Sequence, residues 1–557
     1  MPPTQFAEVD AAIDRLHANK DAWLAVSIRD RIQLLERMVH DLAAVADEWA
    51  AIEARIRGQA PDDRLAGEVW LAGIMPAIRE ARLLAHALRA GGAPRVPLRT
   101  SEDGHTIARV FPASTMERLM YAGVSADVWI EKGKPPTQGA IYRAGGKKAA
   151  GTVCLVLGAG NLSSIPVMDV LHKLFVSDEV VLLKMSPVNE ALGPVFARAL
   201  QVLIERGSLA IVYGGVDVGA YAARHPKIGS LHVTGSLRTY NSIVWGDPEN
   251  TSGQRLNDRP FTAELGCVTP LIVVPGPWSQ RDIRFQARHA ASMIANNASF
   301  LCNATKVIIT ARGWPQREAF LSAVHAELAR MPARKAYYPG AREQYRKFLV
   351  HHPHAKTHGE LSLQTADEVV PWTSVEIAPE ASAYALINEV FCGAFAEVAL
   401  DADVDGHCDP RAFLDRAVAF ANERCMGTLS CTVLVHPATE KRYGAHVTKA
   451  IADLRYGGIG VNVWSAVIFA LASPPWGAYP GHRPEDIQSG AGFVHNPFLL
   501  DHPEKAVVRA PFHGWPTPAW FCDHANLLEL GRRTVAFEAN PTWRHFFRVV
   551  RAALKGG

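Results

Sequence analysis

From residue 151 onward the chain repeats one pattern, a short continuous apolar run followed by a stretch with helical periodicity. The run at 152–157 carries no charge, the chain then turns at Gly158–Gly160, and residues 165–175 have helical spacing. Strands that are apolar on both faces belong to parallel sheets covered by helices. The alternation predicts an α/β fold built on a doubly wound parallel sheet.

The same alternation continues to about residue 465 in two successive sets. The first set adds strands at 179–184, 210–213 and 230–233 and a helix over about 191–205. The second set has strands at 271–274, 306–310 and 431–435 and helices over about 282–296, 314–329 and 410–422. We therefore expect two α/β domains in sequence.

The flanking regions differ from this pattern. Residues 8–92 have apolar residues at helical spacing, and Gly91, Gly92 and Pro94 end that stretch. Residues 93–150 are rich in Gly, Pro and Lys and show no long period, whereas 466–557 are rich in Pro, His, Trp and Phe. We expect helices over residues 8–92 and irregular structure over residues 93–150.

The overall charge and the cysteines narrow the class of protein. Lys and Arg number 58 against 55 Asp and Glu, a net charge of +3, which gives no reason to expect a nucleic acid partner. The eight cysteines are scattered without Cys-x-x-Cys pairs, as in reduced cytosolic proteins. The start lacks the features of a signal peptide, and the longest apolar stretch, near 461–473, is too short to span a bilayer. A cytoplasmic location is expected.

Two side chains stand out as candidates for chemistry. Cys302 lies in an Asn-containing turn just before a predicted strand, where a thiolate can be reactive; the alternative is a packed, inert cysteine. Glu264 lies in an apolar, Gly-containing turn before another strand, where burial raises a carboxyl pKa and suits a general base. The alternative for Glu264 is a surface or helix-terminal position.

Together these two segments resemble the active-site signatures of the aldehyde dehydrogenase superfamily. Glu264-Leu-Gly-Cys-Val-Thr-Pro270 matches a Glu-Leu-Gly-Gly-x-x-Pro segment, and Asn297-Ala-Ser-Phe-Leu-Cys-Asn-Ala304 matches Asn-x-Gly-Gln-x-Cys-x-Ala. Cys302 follows Glu264 by 38 residues, slightly more than is usual in the family. Further matches in order are Asn161, Val180–Lys184, Val233–Ser236, Glu389–Gly393 and Val461-Asn462. The resemblance covers about residues 10–490.

The resemblance implies a role for each matched residue. It makes Cys302 the nucleophile, Glu264 the base that activates water, and Asn161 a donor to the oxyanion. It implies NAD or NADP as cofactor and no metal. The residues implied to contact the cofactor are Lys184, Ser186, Gly235, Ser236, Glu389 and Phe391.

Three departures from the family pattern set this chain apart. Gly160 replaces the Trp that usually precedes the oxyanion Asn, and Ser299-Phe300 replaces Gly-Gln before the nucleophile. Pro187 replaces the carboxylate that usually follows the cofactor Lys by three positions, and this loss removes a repulsion against a 2′-phosphate. We therefore expect NADP to be tolerated.

The resemblance also implies a domain plan and an assembly. We assign 1–129 to the N-terminal helical part of the cofactor domain, 130–150 to an oligomerisation hairpin, 151–265 to the dinucleotide-binding domain and 266–465 to the catalytic domain. Residues 466–557 form an extension that is a second candidate for oligomerisation. A small aldehyde is the expected substrate, and a homodimer or homotetramer the expected assembly.

Several alternatives stay open at this stage. An acyl-CoA reductase of the same superfamily would run the thioester chemistry backwards, and the Gly160-Asn161 turn followed by Ile165-Pro166 resembles that branch. A catalytically inactive binding protein on the same fold is the alternative outside enzymes. His351, His352, His354 and His358 suggest a metal site, but we expect a surface loop there. The basic face at Arg544, Arg548, Arg551 and Lys555 suggests a packed helix or a peripheral membrane contact.

Overall fold

The computed structural model describes residues 1–143, 145–146, 148–249, 251–332, 334–359 and 368–557. The chain divides into two compact units. Unit 1 comprises Met1–Leu265, Ile468–Ala506 and Leu527–Ala552. Unit 2 comprises Gly266–Val467, Val507–Asn526 and Ala553–Gly557.

The helices and strands are numbered in chain order. The α-helices are α1 Phe6–Leu24, α2 Ile28–Ala44, α3 Ala46–Ile56, α4 Met75–Arg89, α5 Thr115–Met120, α6 Ser164–Phe175, α7 Gly193–Ala199, α8 Gln201–Glu205, α9 Val216–Arg224, α10 Leu237–Val244, α11 Gln280–Ala295, α12 Arg317–Arg330, α13 Ala341–His351, α14 Tyr384–Ile387, α15 Pro410–Arg424, α16 Pro437–Asp453, α17 Ala466–Leu471, α18 Leu527–Ala539 and α19 Trp543–Ala553. The strands are β1 Leu98–Thr100, β2 Thr106–Phe111, β3 Ser125–Ile130, β4 Val153–Leu157, β5 Val180–Lys184, β6 Leu209–Val212, β7 Ser230–Thr234, β8 Phe261–Glu264, β9 Thr269–Val273, β10 Thr305–Ala311, β11 Lys356–His358, β12 Trp372–Ile377, β13 Ala394–Leu400, β14 Asp403–Val404, β15 His407–Cys408, β16 Ser430–Leu434, β17 Gly458–Val461, β18 Trp476–Gly477, β19 Gly490–Ala491, β20 Phe493–Val494 and β21 Pro503–Arg509.

Unit 1 is built on a six-stranded sheet in the order β19-β8-β7-β4-β5-β6. Strands β4 to β8 run parallel, and β19 pairs antiparallel with β8. The chain proceeds from β4 through β5 to β6 on one side and then returns to β7 and β8 on the other. This reversal creates a topological switch point between β4 and β7, the place where open α/β sheets bind ligands at the carboxyl ends of their strands.

The continuous apolar runs explain why this sheet forms. Every residue of β5 is buried, and the first four residues of β4 are buried as well. Helices α1 and α6 pack on these strands, so both faces lose contact with water. The fold class that the alternation predicts is confirmed.

Unit 2 contains a second, mainly parallel set of strands in the order β17-β16-β9-β10-β13-β12-β11. Only its edge strand β11 runs antiparallel to its neighbour, among the pairings described. Strand β10 is buried along its whole length, in agreement with the apolar run predicted at 306–310. Helix α11 ends one turn before the loop that carries Cys302.

Some sequence predictions differ from the structure. The single helix expected over 191–205 is two helices that break at Leu200, whose ψ of 17° leaves the helical range. The irregular region expected at 93–150 contains the antiparallel strands β1, β2 and β3. These strands precede the segment 130–150 assigned to a hairpin, whose described residues contain a 3₁₀ turn at Ala140–Tyr142 and no strand beyond β3.

Two other regions also differ from expectation. The extension 466–557 divides between the two units instead of forming one element, and the participation of any segment in oligomerisation stays a prediction. The loop expected around the histidines is present only at residues 352–355, since His351 ends α13 and stacks on Tyr384, and His358 ends β11 and stacks on His325. Among the described residues, no helix combines the length and hydropathy that crossing a membrane requires.

Candidate functional site

Cys302 lies in a turn of unit 2 that is held in an unusual backbone conformation. Three consecutive residues, Asn297, Ala298 and Ser299, have positive φ values of 51°, 55° and 69°. Such conformations cost of the order of 1 kcal/mol or more per residue outside glycine, and they persist only where neighbouring groups enforce them. The chain leaving α11 is therefore bent sharply just before Cys302.

Hydrogen bonds hold the two sides of this turn. The Asn297 amide donates to the carbonyl of Phe300 at 3.3 Å, and the Tyr337 hydroxyl donates to the Asn297 side-chain oxygen at 3.0 Å. On the other side, the Thr269 hydroxyl donates to the carbonyl of Cys302 at 2.9 Å, and the Trp464 indole donates to the carbonyl of Asn303 at 2.8 Å. The backbone on both sides of the thiol is fixed.

The exposure of Cys302 sets it apart from most other cysteines. Six of the eight cysteines are buried, and only Cys302 and Cys408 are partly exposed. Burial and three nearby aspartates raise the pKa of the Cys408 thiol to about 11. Burial also raises the pKa of Cys392 to about 11 and that of Cys267 above its ordinary value. Because a thiolate is the nucleophile, these three thiols are poor candidates.

A buried lysine that the sequence analysis did not single out supports the Cys302 turn. The Lys306 ammonium, 2% exposed, donates to the Ser299 hydroxyl at 2.8 Å and to the Cys392 carbonyl at 2.7 Å. Burial lowers its pKa to about 8. A charged residue inside the apolar run of β10 was the signal in the sequence, because lysine is rarely buried without a specific partner.

Glu389 lies in the same unit, against the segment that follows Glu264. A Cβ atom on Gly266 would overlap a Glu389 carboxyl oxygen, so a side chain at position 266 would displace that carboxyl. The Cys267 backbone N–H donates to this carboxyl, and its Oε1 has no hydrogen-bond partner among the described residues. Burial raises the pKa of Glu389 to about 7, although the nearby Lys306 opposes the shift.

Phe391 belongs to an aromatic group beside the same turn. Its ring centroid lies 4.9 Å from that of Tyr338 and 5.9 Å from that of Phe300. Phe300 occupies a position where the resemblance leads one to expect glutamine, and its ring is fully buried. The departure at Ser299-Phe300 therefore has a structural use, since Ser299 binds Lys306 and Phe300 packs in the core.

Glu264 lies in unit 1, as the last residue of β8. It is 4% exposed, and its carboxyl accepts a hydrogen bond from the Trp476 indole, while its Oε1 has no partner among the described residues. Burial and the negative charge of Asp169 raise its pKa well above the ordinary value. The environment predicted for Glu264 from the sequence is present, but on a strand rather than in a turn.

The other predicted residues of unit 1 lie at the carboxyl ends of the parallel strands. Asn161 follows β4, Lys184 ends β5, and Ser236 caps α10 directly after β7 by accepting from the Thr239 N–H at 3.2 Å. Gly235 donates its N–H to the carbonyl of Glu264 at 3.0 Å. The fold of unit 1 thus places these residues around its switch point.

Lys184 and Gly160 each have a distinctive environment at this edge of the sheet. The Lys184 side chain is largely buried, burial lowers its pKa, and its ammonium has no hydrogen-bond partner among the described residues. A Cβ atom on Gly160 would lie 2.6 Å from the Ser186 hydroxyl and 3.0 Å from the Cβ of Val188. Gly160 therefore stands where a large side chain does not fit, which accounts for the missing Trp.

Comparison with known proteins finds similarity to one family. Residues 148–341 match the profile of the Aldehyde dehydrogenase family. A curated relative, Betaine aldehyde dehydrogenase 2 from Rhizobium meliloti (strain 1021), is 34% identical over 126 residues. That alignment covers 22% of this chain and 23% of the relative, so it spans less than a quarter of either protein.

Solved structures resemble the chain over most of its length. Gamma-glutamyl-gamma-aminobutyraldehyde dehydrogenase from Burkholderia cenocepacia J2315 has a TM-score of 0.63 at 19% identity, covering 90% of this chain and 88% of its own. A Mycobacterium tuberculosis aldehyde dehydrogenase complexed with NAD⁺ has a TM-score of 0.63 at 16% identity, covering 93% and 92%. GapN from Methanocaldococcus jannaschii, complexed with NADP, has a TM-score of 0.63 at 14% identity, covering 92% and 96%. At these identities the resemblance concerns the fold.

Proposed function

We propose that this chain is a member of the aldehyde dehydrogenase superfamily and that it oxidises an aldehyde to a carboxylic acid with NAD or NADP, through a thioester on Cys302. The observation that carries the proposal is the Cys302 turn. It presents one partly exposed thiol on a strained, doubly anchored backbone, in the segment that matches the family's nucleophile motif. The cofactor, the activity and the residue roles are parts of this proposal.

The chemistry begins with the attack of the Cys302 thiolate on the aldehyde carbonyl carbon. The Asn161 amide and the Cys302 backbone N–H stabilise the oxyanion of the thiohemiacetal. A nicotinamide cofactor, when bound, would supply the two-electron acceptor for the hydride that leaves the thiohemiacetal carbon. Loss of that hydride leaves an acyl group in thioester linkage to Cys302.

Glu264 completes the cycle as the general base. It removes a proton from water, the water oxygen attacks the thioester carbon, and the acid and the free thiolate are released. In sum, one aldehyde, one water and one NAD(P)⁺ give one acid, one NAD(P)H and a proton. The raised pKa of the Glu264 carboxyl makes it a stronger base than an ordinary carboxylate, as proton abstraction from water requires.

The residues at the switch point of unit 1 fit a dinucleotide. Lys184 offers an unpaired, largely buried cation for a ribose hydroxyl or a 2′-phosphate, and Ser186 stands two residues beyond it. Gly235 and Ser236 directly precede α10, whose N-terminus suits a pyrophosphate. In unit 2, Glu389 has an unpartnered carboxyl oxygen for the second ribose, and Phe391 offers an aromatic surface for the ring.

A turnover screen tests the proposal. Short and long aldehydes, each with NAD and NADP, should give NAD(P)H and an equal amount of acid. The same preparation, given acyl-CoA and NADPH, should be much slower. If the acyl-CoA reaction is the faster one, the chain is a reductase; if neither proceeds while the nucleotide binds, it is an inactive binding protein.

We further propose that the chain forms a homodimer or homotetramer, as the family resemblance implies. The exposed apolar residues of α19 and its neighbourhood are candidates for the contact, because Trp543 is 48%, Phe547 63% and Leu554 51% exposed. Light scattering at micromolar concentration should give a mass of two or four times 60.6 kDa. A single 60.6 kDa species contradicts this part of the proposal.

A further inference from the structure

A cluster of ionisable side chains lies in the core of unit 1, on the side of β8 to which Glu264 points. Asp169 of α6, Glu264 of β8 and His495 each contribute one nitrogen or oxygen atom, and these three atoms all lie within 4.8 Å of one another. Asp169 is 0%, His495 1% and Glu264 4% exposed. The cluster is thus shielded from bulk water.

Both oxygens of Asp169 are held in place by neighbours. The His495 Nε2 lies 3.0 Å from one oxygen, and the His232 Nε2 lies 3.3 Å from the other. The Thr234 hydroxyl also donates to the second oxygen at 3.4 Å, and the far ring nitrogen of His232 lies 2.9 Å from the Thr262 hydroxyl. His232 and Thr234, which lie outside the three-residue cluster, therefore orient Asp169 as hydrogen-bonding neighbours orient the carboxylates of metal sites.

Two carboxyl groups beside Asp169 lack such partners. Glu80 of α4 is fully buried and neither of its oxygens has a hydrogen-bond partner among the described residues; the same holds for one oxygen of Glu264. The charges of Asp169 and Glu264 raise the pKa of Glu80, after burial itself, so the three carboxyl groups are near neighbours. No lysine or arginine in the described chain hydrogen-bonds any of the three. Unpaired buried carboxyl groups are costly, and they call for a counter-charge or a proton.

We propose that this cluster binds one divalent transition-metal cation, with Asp169, Glu264 and His495 as ligands and Glu80 beside them as the fourth group. Two ligand atoms bonded to one tetrahedral cation at about 2.0–2.2 Å lie about 3.3–3.6 Å apart. The three atoms lie within 4.8 Å of one another, so small side-chain movements would bring them to that separation. One imidazole with carboxylates suits Zn²⁺, Mn²⁺ or Fe²⁺ rather than a cation that requires oxygen alone.

The site touches the proposed function at one residue. Glu264 is also the proposed base, so an ion bound there would occupy the carboxyl that activates water and would inhibit acid release. This consequence rests on the proposed function, whereas the binding itself does not. Measuring binding without substrate therefore separates a failure of the metal site from a failure of the proposed chemistry.

The experiment is metal titration of the full-length protein after treatment with a chelator. Zn²⁺ and Mn²⁺ are added separately, bound metal is counted by elemental analysis after equilibrium dialysis, and the Tm is recorded at each concentration. We expect saturation at one ion per chain for at least one of the two metals, with a higher Tm. Asp169→Asn and His495→Gln should each weaken binding at least tenfold.

A control exists in unit 2, where the His446 Nε2 lies 3.1 Å from an Asp415 oxygen at the surface. His446→Gln should bind metal as the wild type does. If Asp169→Asn or His495→Gln does not fold, as judged by circular dichroism, Glu80→Gln is used, since it keeps the shape of the side chain and should also weaken binding. The proposal is overturned if neither metal saturates the wild-type chain, or if the folded variants of the cluster bind as the wild type does.

Discussion

Cys302 and Glu264 are held by their units in opposite ways. Cys302 is partly exposed, on a turn whose conformation is maintained by backbone strain and by hydrogen bonds to the loop. Glu264 is buried at the end of a sheet strand, paired with Gly490 and surrounded by other ionisable groups. The difference indicates that Cys302, the proposed nucleophile, depends on the loop for its access, whereas Glu264, the proposed base, depends on the core for its raised pKa.

The largest expected effect comes from removing the nucleophile itself. Cys302→Ala should lower turnover by at least about 10³-fold, because the thioester cannot form, while nucleotide affinity stays the same. Turnover and nucleotide titration on the same preparation measure both. Cys408→Ala, the other partly exposed cysteine, and Cys267→Ala, in the Glu264 segment, should stay within about tenfold of the wild type. An active Cys302→Ala protein, or loss of activity in Cys267→Ala, would show that the nucleophile is misassigned.

The second-largest effect is expected when Glu264, the proposed base, is replaced. Glu264→Gln should leave the first turnover of NAD(P)H nearly intact and slow the steady state by about 10²–10⁴-fold, the usual contribution of a general base. Rapid mixing with absorbance at the NAD(P)H band should show a burst followed by a slow phase. CoA should not rescue the variant. Rescue by CoA would favour the reductase alternative.

The pH dependence of the wild type follows from the environment of Glu264. Its pKa is raised, so the carboxyl is protonated at low pH and becomes a base only as the pH rises through that pKa. The steady-state rate should therefore increase with pH at values well above the ordinary titration range of a carboxyl group, whereas the burst rate should not share this dependence on Glu264. A steady-state rate that is highest at pH 5 contradicts the assignment.

The sequence predicted the parts of the fold that depend on local periodicity. Strands β4, β5 and β10 are continuous apolar runs, and the structure has them at nearly the predicted residues. Strands β1 and β2 were not predicted because their short sequences show no regular alternation of apolar and polar residues. Their pairing is fixed by contacts with each other. Periodicity also cannot distinguish one helix over 191–205 from two that break at Leu200.

The limits on predicting the candidate site are similar. The sequence motifs identified Cys302, Glu264 and Glu389 as candidates, since each residue lies in a segment that matches the family pattern. It did not give Asp169 and His495, which meet across 326 positions of sequence and whose proximity only the fold reveals. Asp169 could have been noticed in the sequence as a single acidic residue in an otherwise apolar stretch of α6. The sequence alone did not show which residues its side chain faces.

A third change tests how the Cys302 turn is held. Lys306→Met removes the donors to Ser299 and to the Cys392 carbonyl and leaves buried acceptors unpaired. The free energy of unfolding should fall by about 1–3 kcal/mol, and the burst rate should fall with it because the turn relaxes. Urea unfolding and rapid mixing measure these two effects. Lys441→Met, at an exposed position of α16, is the control and should change neither.

Replacing Glu389 should have a smaller effect, on the pH dependence of the unfolding free energy. Its folded pKa, about 7, lies above the ordinary 4.5, so the folded state binds its proton more tightly than the unfolded state. Its contribution to stability is complete below about pH 4.5 and is lost as the pH rises through about 7, and it amounts to at most about 3 kcal/mol. Glu389→Gln should flatten the pH dependence of the unfolding free energy in this window. An unchanged slope in urea titrations would contradict the burial argument.

The most direct test of the central claim is to find the covalent intermediate. Glu264→Gln is mixed with aldehyde and NADP, quenched in acid during the slow phase, digested and examined by mass spectrometry. The account predicts one acyl group in thioester linkage on the peptide that contains Cys302, in an amount equal to the NADPH of the burst. An acyl group on another cysteine, or NADPH formed without any acyl adduct, would contradict it.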